Sequence, residues 1–217
     1  MIWIPGPAGP LEALLDLPEN NGATLAAVFC HPHPQHGGTM RNKVVYAAAS
    51  AARDLGVPVL RFNFRGVGGS AGSFDWGRGE TEDMRAVLGY LAGAYPGRPL
   101  VAGGFSFGAW VAASAGGADD RVAALVSIGT PIGIYGAGYL REITKPALFV
   151  QATADEFGPV EELAEVVRAY RGPARLVQVE GTGHLFSERT DQVYAAVREF
   201  LHEMIAEDGR EGTETRG

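Results

Sequence analysis

Three residues of this chain, Ser106, Asp155 and His184, have the types and the order needed for nucleophilic acyl chemistry. Ser106 stands in "GGFSFGAWVAASAGG" (103–117), with Gly104 two positions before it and Gly108 two after. A hydroxyl is a weak nucleophile until an adjacent base takes its proton. It must also stand clear of the backbone, and glycines on both sides leave room for the sharp turn that raises it. A helix opening at the serine would aim its dipole at the negative charge that develops on an attacked carbonyl. The plainer alternative is a serine that only caps a helix, and the G-x-S-x-G spacing alone does not separate the two.

The base is sought after the serine and at the end of a strand. Of the five histidines only His184 meets both conditions, in the turn "GTGHLF" after the apolar run 174–180. The acid follows by elimination. Asp119 and Asp120 precede the run 122–129, and the next carboxylate after that run is Glu142, a dozen residues on. The run 146–152 leads into "TADEFGP", which offers Asp155 and Glu156. Asp155 is preferred because a tight turn can hold it while its neighbour faces solvent; an Asx-turn is its structural alternative.

These residues need a scaffold that brings strand ends together. Short apolar runs recur at 11–17, 24–30, 57–64, 99–105, 122–129, 146–152 and 174–180, and read as strands buried on both faces. Between them, segments 42–55, 80–95, 106–116, 159–170 and 190–205 have helical spacing, with Asn42 and Thr190 suited to N-caps and Pro159 to a first turn. The alternation predicts an α/β fold: a mostly parallel sheet of about eight strands, helices on both faces, chemistry at the carboxyl ends. The connection "PENNG" between the first two runs predicts an antiparallel hairpin at one edge. Ser, Asp and His after successive strands is the chain order of the α/β-hydrolase triad.

The loop "HPHPQHGGTM" (31–40) follows the run 24–30, where a second oxyanion donor is needed. Pro32 and Pro34 have no N–H, which leaves His33, held between them, to act with the N–H of Phe107. Metal binding by His31, His33 and His36 is the rival reading; no carboxylate accompanies them, and alternate residues flanked by prolines converge poorly. His31 is read as bonding loop backbone. "GVGGSAG" (66–72) has the glycine spacing of a dinucleotide turn but opens no helix, so it is read as a loop at the rim of the site.

The 217 residues are 46% hydrophobic and 20% charged, enough for one soluble domain, taken as 1–206, with a polar tail at 207–217 expected to be disordered. A net charge of −7 argues against nucleic acid or an anionic membrane as partner. One cysteine, Cys30, and no basic, apolar leader point to the cytoplasm.

"HPHPQHGGTMRNKVV", "RFNFRGVGGSAGSFDWGRGE", "GGFSFGA", "ATADEFGP" and "GTGHLF" together resemble a group of small, lidless bacterial α/β-hydrolases related to the dienelactone-hydrolase and acyl-peptidase branches. The resemblance covers residues 8–205. It implies Ser106 as nucleophile, Asp155 as acid, His184 as base and backbone oxyanion donors at His33 and Phe107. Dienelactone hydrolases carry cysteine at the position of Ser106, so lactone hydrolysis of that kind is not implied.

The expected function is hydrolysis of small to medium carboxylic esters, a small-molecule substrate, with no metal or organic cofactor. A peptidase or amidase on the same three residues, or a non-catalytic interaction module, are the alternatives. Segment 130–145 is expected to be a short mobile loop in place of a cap domain. Trp76, Trp110, Tyr135, Tyr139 and Phe186 are candidates to line the acyl site, and each could equally be core. The sequence says nothing of oligomeric state.

Overall fold

The computed structural model describes residues 1–20 and 22–214, with the side chains of 207–214 excepted. Eight strands form one sheet in the order β1-β2-β4-β3-β5-β6-β7-β8. They are β1 (Ile2–Gly6), β2 (Gly9–Asp16), β3 (Ala26–Cys30), β4 (Val59–Phe62), β5 (Leu100–Phe105), β6 (Val122–Ile128), β7 (Ala147–Ala154) and β8 (Ala174–Gly183). Pairing is antiparallel for β1 with β2 and β2 with β4, and parallel from β4 through β8.

The central strands read as unbroken apolar runs because both of their faces are covered. Successive side chains of a strand point to opposite faces, and β3 divides accordingly. Ala26, Val28 and Cys30 enter one core, Ala27 and Phe29 the other. The first core takes side chains from α2 (Arg78–Ala94), α3 (Phe107–Gly116) and α5 (Val160–Arg168). The second takes them from α1 (Lys43–Arg53) and α6 (Thr190–Glu214). Helix α3 lies close on the sheet because its residues are small. A Cβ at Gly116 would stand 3.0 Å from the Ala102 methyl carbon. Asn42 caps α1 as expected, its side chain accepting from the N–H groups of Val44 and Val45.

The hairpin expected between the first two apolar runs does not form. Strand β2 instead pairs with β1 on one side and with β4 on the other. Strand β1 was hidden in "IWIPG": a proline argues against a strand unless it lies at a sheet edge, and β1 is that edge. The "GVGGSAG" loop also differs from expectation. Its glycines pack on β1 and β2, where a Cβ at Gly69 would meet the Trp3 ring at 2.6 Å and one at Gly68 the Glu12 carboxylate at 2.5 Å. Ser70 ties it down, donating to Asn63 O and accepting from Glu12 N–H. It is a structural brace of the sheet edge.

Segment 130–145 is neither a cap domain nor an irregular loop. It forms a short helix, α4 (Ile132–Tyr135), and a 3₁₀ turn (Gly138–Leu140), with Ile132, Leu140 and Ile143 buried in the core. The backbone of α6 extends into the 207–217 stretch expected as a tail, and 215–217 lie outside the described residues. Among the described residues no helix is long and apolar enough to cross a membrane.

Candidate active site

The carboxyl ends of β3, β5, β7 and β8 meet along one edge, as the parallel sheet requires. Ser106 follows β5 with φ +57° and ψ −122°, a conformation an L-residue rarely adopts and one that costs on the order of 1–3 kcal/mol. The turn is possible only with glycine on each side. A Cβ at Gly104 would stand 2.4 Å from the Gly108 carbonyl carbon, and one at Gly108 would stand 2.4 Å from His31 O. Although Ser106 is the N-cap of α3, its side chain makes no capping bond. The hydroxyl lies instead 2.7 Å from His184 Nε2.

His184 comes directly after β8, and its Nδ1 lies 2.9 and 2.8 Å from the two carboxylate oxygens of Asp155. An ionised carboxylate only accepts, so Nδ1 carries the proton and Nε2 is free to accept from Ser106 Oγ–H. Asp155 is held from behind. Its Oδ1 accepts from the N–H groups of Phe157 and Gly158, and its Oδ2 from Gln151 Nε2. Gln151 is fully buried; it also accepts from Thr130 N–H and donates to Gly158 O. The Phe105 and Phe157 rings flank the imidazole at 5.1 and 4.7 Å between centroids. The arrangement can pass a proton from the serine to the imidazole while the aspartate keeps the tautomer and stabilises the cation.

Beside Ser106, the N–H groups of Phe107 and His33 donate to no backbone acceptor of the described residues. Phe107 opens α3, where the first turn leaves its amides without helical partners. His33 follows β3, between the two prolines.

Comparison with known proteins bears on the fold that carries this geometry. A family model described as the alpha/beta hydrolase fold matches residues 28–135, and another, described as TAP-like protein, matches residues 137–211. The chain is 32% identical over 209 residues to an uncharacterized protein, RP471, of Rickettsia prowazekii, covering 92% of this chain and 87% of that one. An alpha-beta serine hydrolase homologue from Coxiella burnetii superposes with a TM-score of 0.86 at 37% identity, covering 92% and 96% of the two chains. XC6422 from Xanthomonas campestris, an α/β serine hydrolase without lid, gives 0.87 at 36% identity over 94% of each. The chain belongs to the α/β-hydrolase family.

Among the described residues of the hydrolase there is no cap domain, and Ser106 and His184 open onto a pocket of about 630 Å³. Its walls are His33, His36, Phe74 and Trp76 on one side, with Phe107, Ile134, Tyr135, Phe157 and Leu185 completing it. Of the five aromatic candidates, Trp76 and Tyr135 line this space. Trp110 lies behind Tyr135, stacked on it at 4.2 Å with the planes 5° apart, and so acts as its backing. Tyr139 packs against the core with its hydroxyl buried and unpartnered, and burial pushes that hydroxyl's pKa up. Phe186 is 0% exposed and belongs to the core shared with α1 and α6.

Phe74, Phe157 and Leu185 are not among the candidates that the sequence offers, although each lies two residues or fewer from one of them, Trp76, Asp155 and His184 respectively. The signal for Gln151 was a polar side chain inside the apolar run "ALFVQATA", which demands buried partners.

The three histidines of the "HPHPQH" loop do not converge. His31 is fully buried with both ring nitrogens occupied: Phe64 N–H donates to Nε2 at 3.1 Å, and Nδ1 lies 2.6 Å from Pro32 O. His33 uses Nδ1 to accept from Gln35 N–H. Burial, followed by the neighbouring His36, lowers the pKa of His33. No group of three or more His, Cys, Asp or Glu side chains suited to a metal occurs among the described residues.

Burial also brings the pKa of His31 down to about 4 from 6.5, opposed by its bond to Pro32 O and reinforced by His33. The folded state therefore refuses a proton that the unfolded chain accepts. This contribution to stability is complete above about pH 6.5 and is lost as pH falls toward 4, a loss on the order of 3 kcal/mol. Urea unfolding at pH 7, 5.5 and 4 is expected to show that decline, and His31→Asn to flatten it. An equal decline in the variant would assign the pH dependence to other groups.

Proposed function

We propose that the chain is a serine carboxylic ester hydrolase working through Ser106, His184 and Asp155. The observation that carries this reading is the serine hydroxyl held 2.7 Å from the histidine in a strained turn, with no capping role to explain it. His184 Nε2 takes the Ser106 proton as Oγ attacks the ester carbonyl. The amides of Phe107 and His33 receive the oxyanion, each worth about 3–4 kcal/mol of barrier. The imidazolium then protonates the departing alcohol, leaving an acyl-serine. Water enters, gives its proton to His184 and attacks the acyl carbon. Collapse returns the proton to Ser106 and frees the acid.

The substrate class follows from the walls. Among the described residues Asp, Glu, Lys and Arg are absent from the pocket lining, whose aromatic and aliphatic side chains are interrupted by backbone, Asn42 and the imidazoles of His33 and His36 beside Ser106 and His184. A charged acyl or alcohol group would lose its hydration there and find no Asp, Glu, Lys or Arg to pair with. Uncharged esters of small to medium acyl chain fit, and the open mouth leaves a long chain in water.

A panel of p-nitrophenyl esters tests this directly. Each buried methylene is worth about 0.8 kcal/mol, so kcat/KM should rise about fourfold per carbon over the first few and then level or fall. A succinyl half-ester should react about 10²-fold more slowly than the neutral ester of equal length, and the corresponding anilides more slowly than the esters. Preference for the charged acyl group, for amides, or for long-chain triglycerides would contradict the reading.

A further inference from the structure

We propose that His31 is a positioning residue for the oxyanion site: its ring fixes the peptide plane whose N–H, that of His33, receives the oxyanion. The inference rests on the hydrolase reading given above and adds a component to it.

The geometry runs through a single peptide unit. Pro32 C=O and His33 N–H belong to the same amide plane, and in a trans peptide they point in opposite directions. No described peptide bond is cis. The His31 ring holds the carbonyl end, with Nδ1 2.6 Å from Pro32 O. The N–H end is thereby directed away from the ring, and Pro32 and His33 line the same pocket as Ser106 and Phe107.

The tautomer is set by the opposite nitrogen. Phe64 N–H donates to Nε2, so Nε2 is the acceptor and Nδ1 carries the only proton of the neutral ring. That proton goes to Pro32 O. Phe64 lies two residues after β4 and is itself fully buried, and its ring meets the imidazole edge-on at 4.7 Å. The oxyanion loop is thus tied through His31 to the sheet rather than held by its own turn alone. Gly38 presses on the same carbonyl from the loop side, where a Cβ would stand 2.0 Å from Pro32 O. Burial keeps the ring neutral, so one tautomer serves across the range in which a histidine base works. A bond donated to the carbonyl also polarises the amide and strengthens its N–H as a donor.

A residue of this kind affects the transition state more than substrate binding, because the oxyanion exists only after attack. His31→Leu should therefore lower kcat by roughly 10- to 100-fold with KM within about twofold, short of the loss expected when a donor is removed outright. Affinity for an uncharged alkyl trifluoromethyl ketone, which forms a tetrahedral adduct on the serine, should fall in parallel. His31→Asn, which can still donate to Pro32 O, should recover part of both. Unchanged kcat and ketone affinity in a folded His31→Leu protein would overturn the proposal, as would equal loss in both variants tracking only their loss of folded protein.

A measurement on the unaltered protein covers the case in which the variants do not fold. Nitrogen-15 spectra of the histidines should show His31 as the Nδ1–H tautomer, with that proton shifting when the ketone binds. An Nε2–H tautomer, or no shift on binding, would also overturn it. If the unaltered protein neither binds the ketone nor cleaves esters, the hydrolase reading fails. If it does both and His31 proves indifferent, only this inference fails.

Discussion

Ser106→Ala is expected to lower kcat for a p-nitrophenyl ester by about 10⁶-fold while leaving the fold intact. The size follows from the way the three side chains act as a unit. Without the hydroxyl, His184 has nothing to deprotonate and Asp155 nothing to orient, so their contributions disappear together. What remains is pocket binding and the backbone amides of His33 and Phe107. Alanine also keeps the strained φ of the turn, so stability should change little: the hydroxyl's partner is His184, which is 5% exposed and still held by Asp155. Activity within tenfold of the parent, in a protein with unchanged thermal midpoint, would contradict the assignment of the nucleophile.

The second large effect concerns Asp155, where substitution changes no volume. Asp155→Asn should reduce kcat by about 10⁴-fold, whereas Glu156→Gln should leave it within about twofold. The amide oxygen of the new side chain can keep the bonds from the Phe157 and Gly158 N–H groups. Its NH₂ then faces two donors, Gln151 Nε2 and His184 Nδ1–H. The imidazole is driven to the opposite tautomer, with a proton on Nε2 where it must accept one from Ser106. The clash with Gln151 should cost a further 1–3 kcal/mol or so of stability. Glu156 is exposed and makes none of these bonds. The reverse pattern in the two variants would move the acid by one residue.

The site was more legible in the sequence than the sheet around it, for a physical reason. Ser106, Asp155 and His184 each sit within a few residues of a strand's carboxyl end, so locating the strands was enough to locate them. The strands β3 to β7 announce themselves because burial on both faces leaves no alternation to mistake. The pairing of β2 with β4 is different. Arg61 on β4 reaches Asp16 at the end of β2 and also Met40 O, and a bond across 45 residues leaves no local trace in "PENNG". Aromatic depth was equally opaque. Trp76 and Phe186 are both large apolar residues in loops beside the site, and both have positive φ, yet one is exposed at the mouth and the other wholly buried. That difference is decided by the helices α1 and α6 packing over Phe186, which no local pattern around "GHLF" encodes. The "HPHPQH" loop falls between these cases. Its prolines marked His33 as the available amide, but the role of the His31 ring depends on Phe64, 33 residues away.

The most direct test of the central claim is to treat the folded protein with a fluorophosphonate and map the adduct by mass spectrometry. The expected result is one adduct per chain, on Ser106, lost in Ser106→Ala and on denaturation before labelling. Ser50, Ser70, Ser73, Ser114, Ser127 and Ser187 should stay unmodified. An adduct on any of these, or none on the folded protein, would contradict a nucleophile at Ser106.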